Sequence, residues 1–191
     1  MMDKKLLLLI CHFVFLSEDN LIVPFDIKSE VSYVGSHPAH NWTGVSTKFK
    51  GGIVCRNLDD CLIKIQIPLD SFDSGSSNRD SNMLYYVESN KYKYVTFHSE
   101  PFPINDKALS VGDSINLKGT IDFHGVEKKV LFNASIFAED EYLRGEANFN
   151  VYLSDHKVER PSLLFTPISD LIIIKCNLYC PINQFRSYVE K

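Results

Sequence analysis

Arg79 and Asp80 are the polar pair in this sequence whose neighbours best fit them for chemistry. Just before them Gly75, set among serines, breaks an extended run; just after them Met83, Leu84 and Val87 recur at helical spacing. A carboxylate at that junction caps a short helical segment, expected near Asp80–Val87, while the adjacent guanidinium binds loop carbonyls. The same junction could receive a ligand, because the unpaired N–H groups of a helix start favour an anionic head group. Capping accounts for Asp80 without any ligand, so the structural role comes first.

His37 and His40, in the run His-Pro-Ala-His, invite a metal reading, but Pro38 works against the helix that would bring both imidazoles to one face. No metal is expected there. His40, His98 and His124 are the available general bases, and no local signature of a Cys/His nucleophile pair accompanies them. A binding protein, with no catalytic residues and no cofactor, is therefore expected ahead of an enzyme. Cys55 and Cys61 flank the turn Arg56-Asn57-Leu58-Asp59-Asp60, so a disulfide fits across that hairpin if their Cα atoms come within about 5.5 Å. Free or buried thiols are the alternative for these two as for Cys176 and Cys180, and neither pair has the CxxC spacing of a zinc or redox site.

The elements that must position these groups are strands. Val31 and Tyr33 alternate against Ser32 and Val34, and Trp42 to Lys50 reads as one strand with Val45, Thr47 and Phe49 opposing Ser46, Lys48 and Lys50. Gly51-Gly52 permits a bend before Ile53. Ile63, Ile65 and Ile67 share a face against Lys64 and Gln66, and period two returns from Tyr92 to Ser99, where Phe97 sides with Val95. Ile115, Leu117 and Ile121 oppose Asn116, Lys118 and Asp122; beyond the His124-Gly125 turn, Phe132, Ala134 and Ile136 supply the returning face. Phe149 and Val151 then oppose Asn148 and Asn150, and Ile172, Ile174 and Cys176 mark the last strand. Strands with one apolar face, and almost no amphipathic helix, can bury those faces only in a sandwich or a closed barrel. The expected fold is all-β, an antiparallel barrel of about eight strands, wide enough for packed side chains or one slim ligand. Periodicity leaves a filled core and a cavity both open.

At 191 residues, 45% of them hydrophobic and 23% charged, the chain suits one domain with a real core, expected over 21–191. A net charge of -4 offers no basic footprint, which excludes nucleic acid as the expected partner. Residues 1–20 read as a signal peptide or apolar targeting segment: Lys4 and Lys5 precede the run Leu6 to Leu16, too short to span a bilayer, and a polar stretch ends it. With that segment removed four cysteines remain, an even number that suits an oxidising compartment. A periplasmic or secreted location is expected.

Three runs carry a family resemblance. Arg79-Asp80-Ser81-Asn82-Met83-Leu84, followed by Lys91-Tyr92 and Val95-Thr96-Phe97, resembles the signature of the YceI-like family, lipocalin-like barrels of bacterial envelopes. Leu117 to Lys128 is similar to that family's central hairpin, and Arg160-Pro161-Ser162-Leu163-Leu164 to a stretch of one of its branches. Lys93 departs from the pattern, standing where the family usually has proline. The resemblance implies a cavity rather than a filled core, and a bound polyisoprenoid, isoprenoid quinone or similar lipid. Its wall would come from Ile63, Ile65, Phe97, Ile115, Leu117 and Ile121 in the first half of the barrel. Phe132, Ile136, Phe149, Val151, Ile172 and Ile174 would supply the second half, with Arg79, Asp80 and His40 at the mouth. Transient membrane contact would go with such cargo. A lipid-modifying enzyme on the same barrel, and a filled-core barrel acting through its loops, are the competing readings.

Overall fold

The computed structural model describes residues 20–163 and 165–189, so the expected targeting segment lies outside it apart from Asn20. The strands are β1 (Leu21–Pro24), β2 (Glu30–His37), β3 (His40–Ser46), β4 (Lys50–Asn57), β5 (Asp60–Pro68), β6 (Tyr94–Ser99), β7 (Asp113–Phe123), β8 (Val126–Glu139) and β9 (Tyr142–Tyr152). They are followed by the two-residue strands β10 (Ser162–Leu163) and β11 (Thr166–Pro167), which pair as a separate hairpin, and by β12 (Leu171–Pro181). The ten others form one curled sheet in the order β1-β4-β5-β6-β7-β8-β9-β12-β2-β3. Every ladder in it is antiparallel. The all-β barrel-like class is as expected, with ten strands in place of about eight.

The sheet strand that was not expected is β1, and the stretch taken as one strand from Trp42 to Lys50 ends early, at Ser46. Ser46 is fully buried, and its hydroxyl lies 2.7 Å from that of Ser71 and accepts the Lys48 N–H at 3.3 Å. A side-chain oxygen thus takes over a backbone donor, and the ladder stops there. The chain crosses at 47–49 to begin β4, and Phe49 packs edge-on against Phe25, 6.3 Å away. The β3 edge is covered locally, since Val45 exchanges backbone hydrogen bonds with Asp73, each 2.9 Å. The β7–β8 connection needs only His124 and Gly125, both at positive φ (54° and 71°), the backbone that a tight hairpin turn demands.

The two ends of the curl differ. One is plugged by α2 (Asp106–Ser110), capped by the Asn105 side chain on the Ala108 N–H at 2.9 Å, and by α3 (Ile182–Val189). Phe185 is 0% exposed there, and Ile182 and Ile104 are each 1% exposed in the same core cluster. At the other end lie α1 (Ser77–Tyr86), the β2–β3 turn and the β10–β11 hairpin.

Candidate functional site

Between those ends lies a cavity of about 560 Å³. Ile63 and Ile65 of β5 line it with Phe97 of β6 and Ile115, Leu117 and Ile121 of β7. Across from them stand Phe132 and Ile136 of β8, Phe149 and Val151 of β9, and Ile172 and Ile174 of β12. Phe132 and Phe149 stack at 4.2 Å with planes 11° apart, and Phe97 meets Phe132 at 5.8 Å. Phe97, Ile115, Phe132, Phe149 and Ile174 are only half-buried although they point inward, because their free surface is cavity wall. A packed core has few voids larger than a water molecule, so the filled-core alternative is overturned. Cys176 and Cys180, both unbridged, line the same space. Burial pushes each thiol up to about 12, with Asp26 adding to the effect at Cys180, as expected of walls that solvate charge poorly. Cys55 and Cys61, opposite each other across β4 and β5, are joined by a disulfide, with their Cα atoms 4.0 Å apart.

The opening is where polar groups gather. Arg79, Asn78, His40 and Glu159 line the cavity there, all at least partly exposed. Asp80 alone among the expected site residues does not reach the cavity wall, and its expected capping role is corrected. Ser76 has the extended backbone of an N-cap (φ -144°, ψ 105°), so α1 begins a turn earlier and Asp80 falls within its first turn. From there the Asp80 carboxylate accepts the Ser74 N–H at 3.2 and 3.3 Å, tying the preceding loop to the helix. Arg79 donates to the Ser74 carbonyl at 3.2 Å, as loop anchoring requires, and lies 5.9 Å from the Trp42 ring. His98 is exposed on the outer face of β6, and His124 engages the His156 carbonyl at 2.9 Å, so neither shares the cavity with His40.

Tyr33, His37 and Trp42 also line the opening and were absent from the expected set. Tyr33 was within reach of the Val31–Tyr33 alternation. Trp42 was hidden, because the inward face of β3 is Trp42, Gly44 and Ser46, the reverse of the apolar face expected from Val45, Thr47 and Phe49. The reason is space: a Cβ on Gly44 would lie 2.3 Å from the Tyr33 ring, so the position that would have marked the face as apolar must stay bare.

Solved structures that share the fold include the following three. Burkholderia cenocepacia BcnA superposes with a TM-score of 0.69 at 18% identity, covering 81% of this chain and 98% of its own. A polyisoprenoid binding domain from Saccharophagus degradans implicated in plant cell wall breakdown gives 0.68 at 17% identity, covering 84% and 98%. The Campylobacter jejuni YCEI protein gives 0.58 at 17% identity, over 70% and 81%. No curated protein matches the chain. The profile of the YceI-like domain matches residues 25–179, nearly the whole barrel including the strands and helix that build the cavity, and the chain belongs to that family.

Proposed function

We propose that this protein is an exported carrier that holds one long apolar lipid, a polyisoprenoid or isoprenoid quinone, in the barrel cavity. The observation that carries the reading is the cavity itself: about 560 Å³, walled by aliphatic and phenyl side chains from eight strands, β2, β4 to β9 and β12. That volume falls within the range of about 300–1,000 Å³ common to small-molecule sites. Each methylene withdrawn from water contributes ~0.8 kcal/mol, so a long tail gains most of its affinity from these walls alone. The Saccharophagus degradans relative, a polyisoprenoid binding domain, supports the choice of ligand class. Binding without catalysis, in transport, storage or protection of the lipid, is the role we favour.

Such cargo resides in bilayers, and we infer transient membrane contact from the rim. Pro161, Ser162 and Ile168 of the β10–β11 hairpin line the opening, and at the hairpin tip Phe165 is fully exposed with a left-handed backbone, φ 66°. A bulky apolar residue held out in this way suits shallow insertion between head groups. A periplasmic or secreted location rests on the targeting segment at the front of the sequence.

Protein purified from its native host and extracted with organic solvent should release an apolar lipid in a ratio near one per chain, read by mass spectrometry. Recovering none, together with no uptake of an added isoprenoid quinone, would sink the carrier reading. A second expectation concerns α1, which sits over the opening. Asp80→Ala removes a charge-assisted bond to the Ser74 N–H, costs ~1 kcal/mol and loosens the helix. Stopped-flow exchange of a fluorescent lipid should then show faster capture and faster release with little change in affinity. Unaltered rates and an unaltered Tm would mean that α1 is not a lid.

A further inference from the structure

We propose that the open end of the barrel is a docking face for a bilayer surface without net charge, and that lipid passes between cavity and bilayer while this face is seated on it. The proposal rests on the carrier reading, and it specifies the surface and the route of transfer that one exposed residue, Phe165, leaves open.

Three elements surround the opening, and the side chains they turn to solvent carry no charge. α1 exposes serines, asparagines and Tyr85, while its Arg79 and Asp80 are half-buried and engaged with Ser74. The described residues of the β10–β11 hairpin expose Ser162, Phe165, Thr166 and Pro167, and the β2–β3 turn exposes Pro38 and Ala39. No Lys, Arg, Asp or Glu stands among them, although such residues make up 23% of the chain. Charge resumes at the margin, with Glu88 and Lys91 beyond α1 and Glu159 and Arg160 before the hairpin. A face of this kind meets neither an acidic nor a basic partner with complementary charge, and it suits the head groups of phosphatidylcholine, whose net charge is zero.

The exposed aromatic side chains gather at the same end. Among the described residues they are Tyr85, Tyr94, Tyr152 and Phe165. Tyr94 opens β6 opposite Pro68, where β5 leads toward α1, and Tyr152 ends β9 opposite Leu171, where β12 leaves the hairpin. The exposed aliphatic residues lie elsewhere, Leu131 on the outer wall of β8 and Val111 beyond α2 at the plugged end. Aromatic rings are favoured at the level of lipid head groups, where one edge is apolar and the other wet, and a face without charge carries nothing costly toward the hydrocarbon. The cargo gives the contact its purpose. A long tail released into water loses the burial that holds it, whereas a tail passing from a seated barrel into hydrocarbon does not. With α2 and α3 plugging the far end, that passage runs through this face.

The test uses the full chain loaded with a farnesyl chain that bears a fluorescent anthraniloyl group, mixed with phosphatidylcholine vesicles containing a quencher, so that loss of fluorescence reports transfer. Raising the vesicle concentration about tenfold should raise the transfer rate about tenfold, as a collisional step requires, and raising salt from about 0.05 to 0.5 M should leave it unchanged. Tyr85→Ser combined with Phe165→Ser should slow transfer by about tenfold, with affinity for the probe unchanged because neither side chain lines the cavity. Leu131→Ser, on the outer wall, should transfer at the wild-type rate. A rate independent of vesicle concentration means release into water first, and overturns the docking face while the carrier reading stands. Wild-type transfer by the double variant overturns it too, as does transfer that requires anionic vesicles or collapses at high salt. A dimer of the chain that Phe165→Ser abolishes would assign the face to a second copy and overturn the proposal. Failure of the probe to enter the barrel removes the carrier reading itself.

Discussion

Phe149→Asp abolishes capture of an apolar lipid, and Phe149→Leu weakens it by about 3- to 10-fold, when each is titrated against a displaceable fluorescent fatty probe. Phe149 stacks on Phe132 at 4.2 Å on the cavity wall. An aspartate there would bring a carboxylate among aliphatic neighbours, and a bound hydrocarbon would have to cover that charge without a partner. The cost falls mainly on binding. Phe149 is half-buried against open space rather than packed on all sides, so in the empty barrel water can follow the carboxylate inward. The leucine variant is the sharper probe, since it keeps most of the apolar surface and removes only the stacked ring, an interaction of about 0.5–1.5 kcal/mol. Its Tm should fall by only a few degrees. Wild-type affinity in both variants would mean that lipid does not contact this wall.

Why this wall could be read from the sequence, and the opening only partly, follows from what alternation records. Ile115, Leu117 and Ile121 against Asn116, Lys118 and Asp122 fix the inward face of β7, and the eleven-residue strand obeys it throughout. Alternation carries direction and no volume. Ile65, 7% exposed, and the half-buried Ile115 read alike in sequence, though both line the cavity and it leaves much more of Ile115 uncovered. The expectation of a cavity came from the resemblance carried by Arg79 to Leu84 and the two later runs. Where side chains must yield to one another the pattern inverts, as in β3, where Gly44 stays bare for Tyr33 and Ser46 turns its hydroxyl to Ser71. Asp80 misled for a different reason: serine and aspartate both suit a helix start, and only backbone geometry shows that Ser76 takes the cap. The floor of the barrel was missed altogether. Ile182 and Phe185 stand three apart, as a helix face requires, but the segment directly follows a strand and is too short for its period to declare itself.

That floor should prove the most sensitive part of the fold. Phe185→Ala is expected to lower stability by about 3–5 kcal/mol, the usual cost of deleting a fully buried ring. Phe185 is 0% exposed, among Ile182, Ile104, Leu109 and the inner ends of the strands. An eight-residue helix does not persist on its own in water, so α3 depends on what holds it in place. Two polar ties assist: Arg186 donates to the Leu109 carbonyl at 3.0 Å and the Tyr188 hydroxyl to the Arg56 carbonyl at 2.6 Å. Both lie at the margin of the plug, with Arg186 itself exposed, and neither replaces the ring. Denaturant unfolding should show a lower midpoint, and Tm should drop by about 10 °C or more for a domain of this size. Because Phe185 does not line the cavity, affinity for lipid per folded molecule should stay near wild type, the reverse of the pattern at Phe149. Exchange should nonetheless quicken, since a loosened α3 gives the cavity a second exit. If Phe185→Ala melts with the wild type, α3 is an appendage and the barrel is closed at that end by Ile104 and α2 alone.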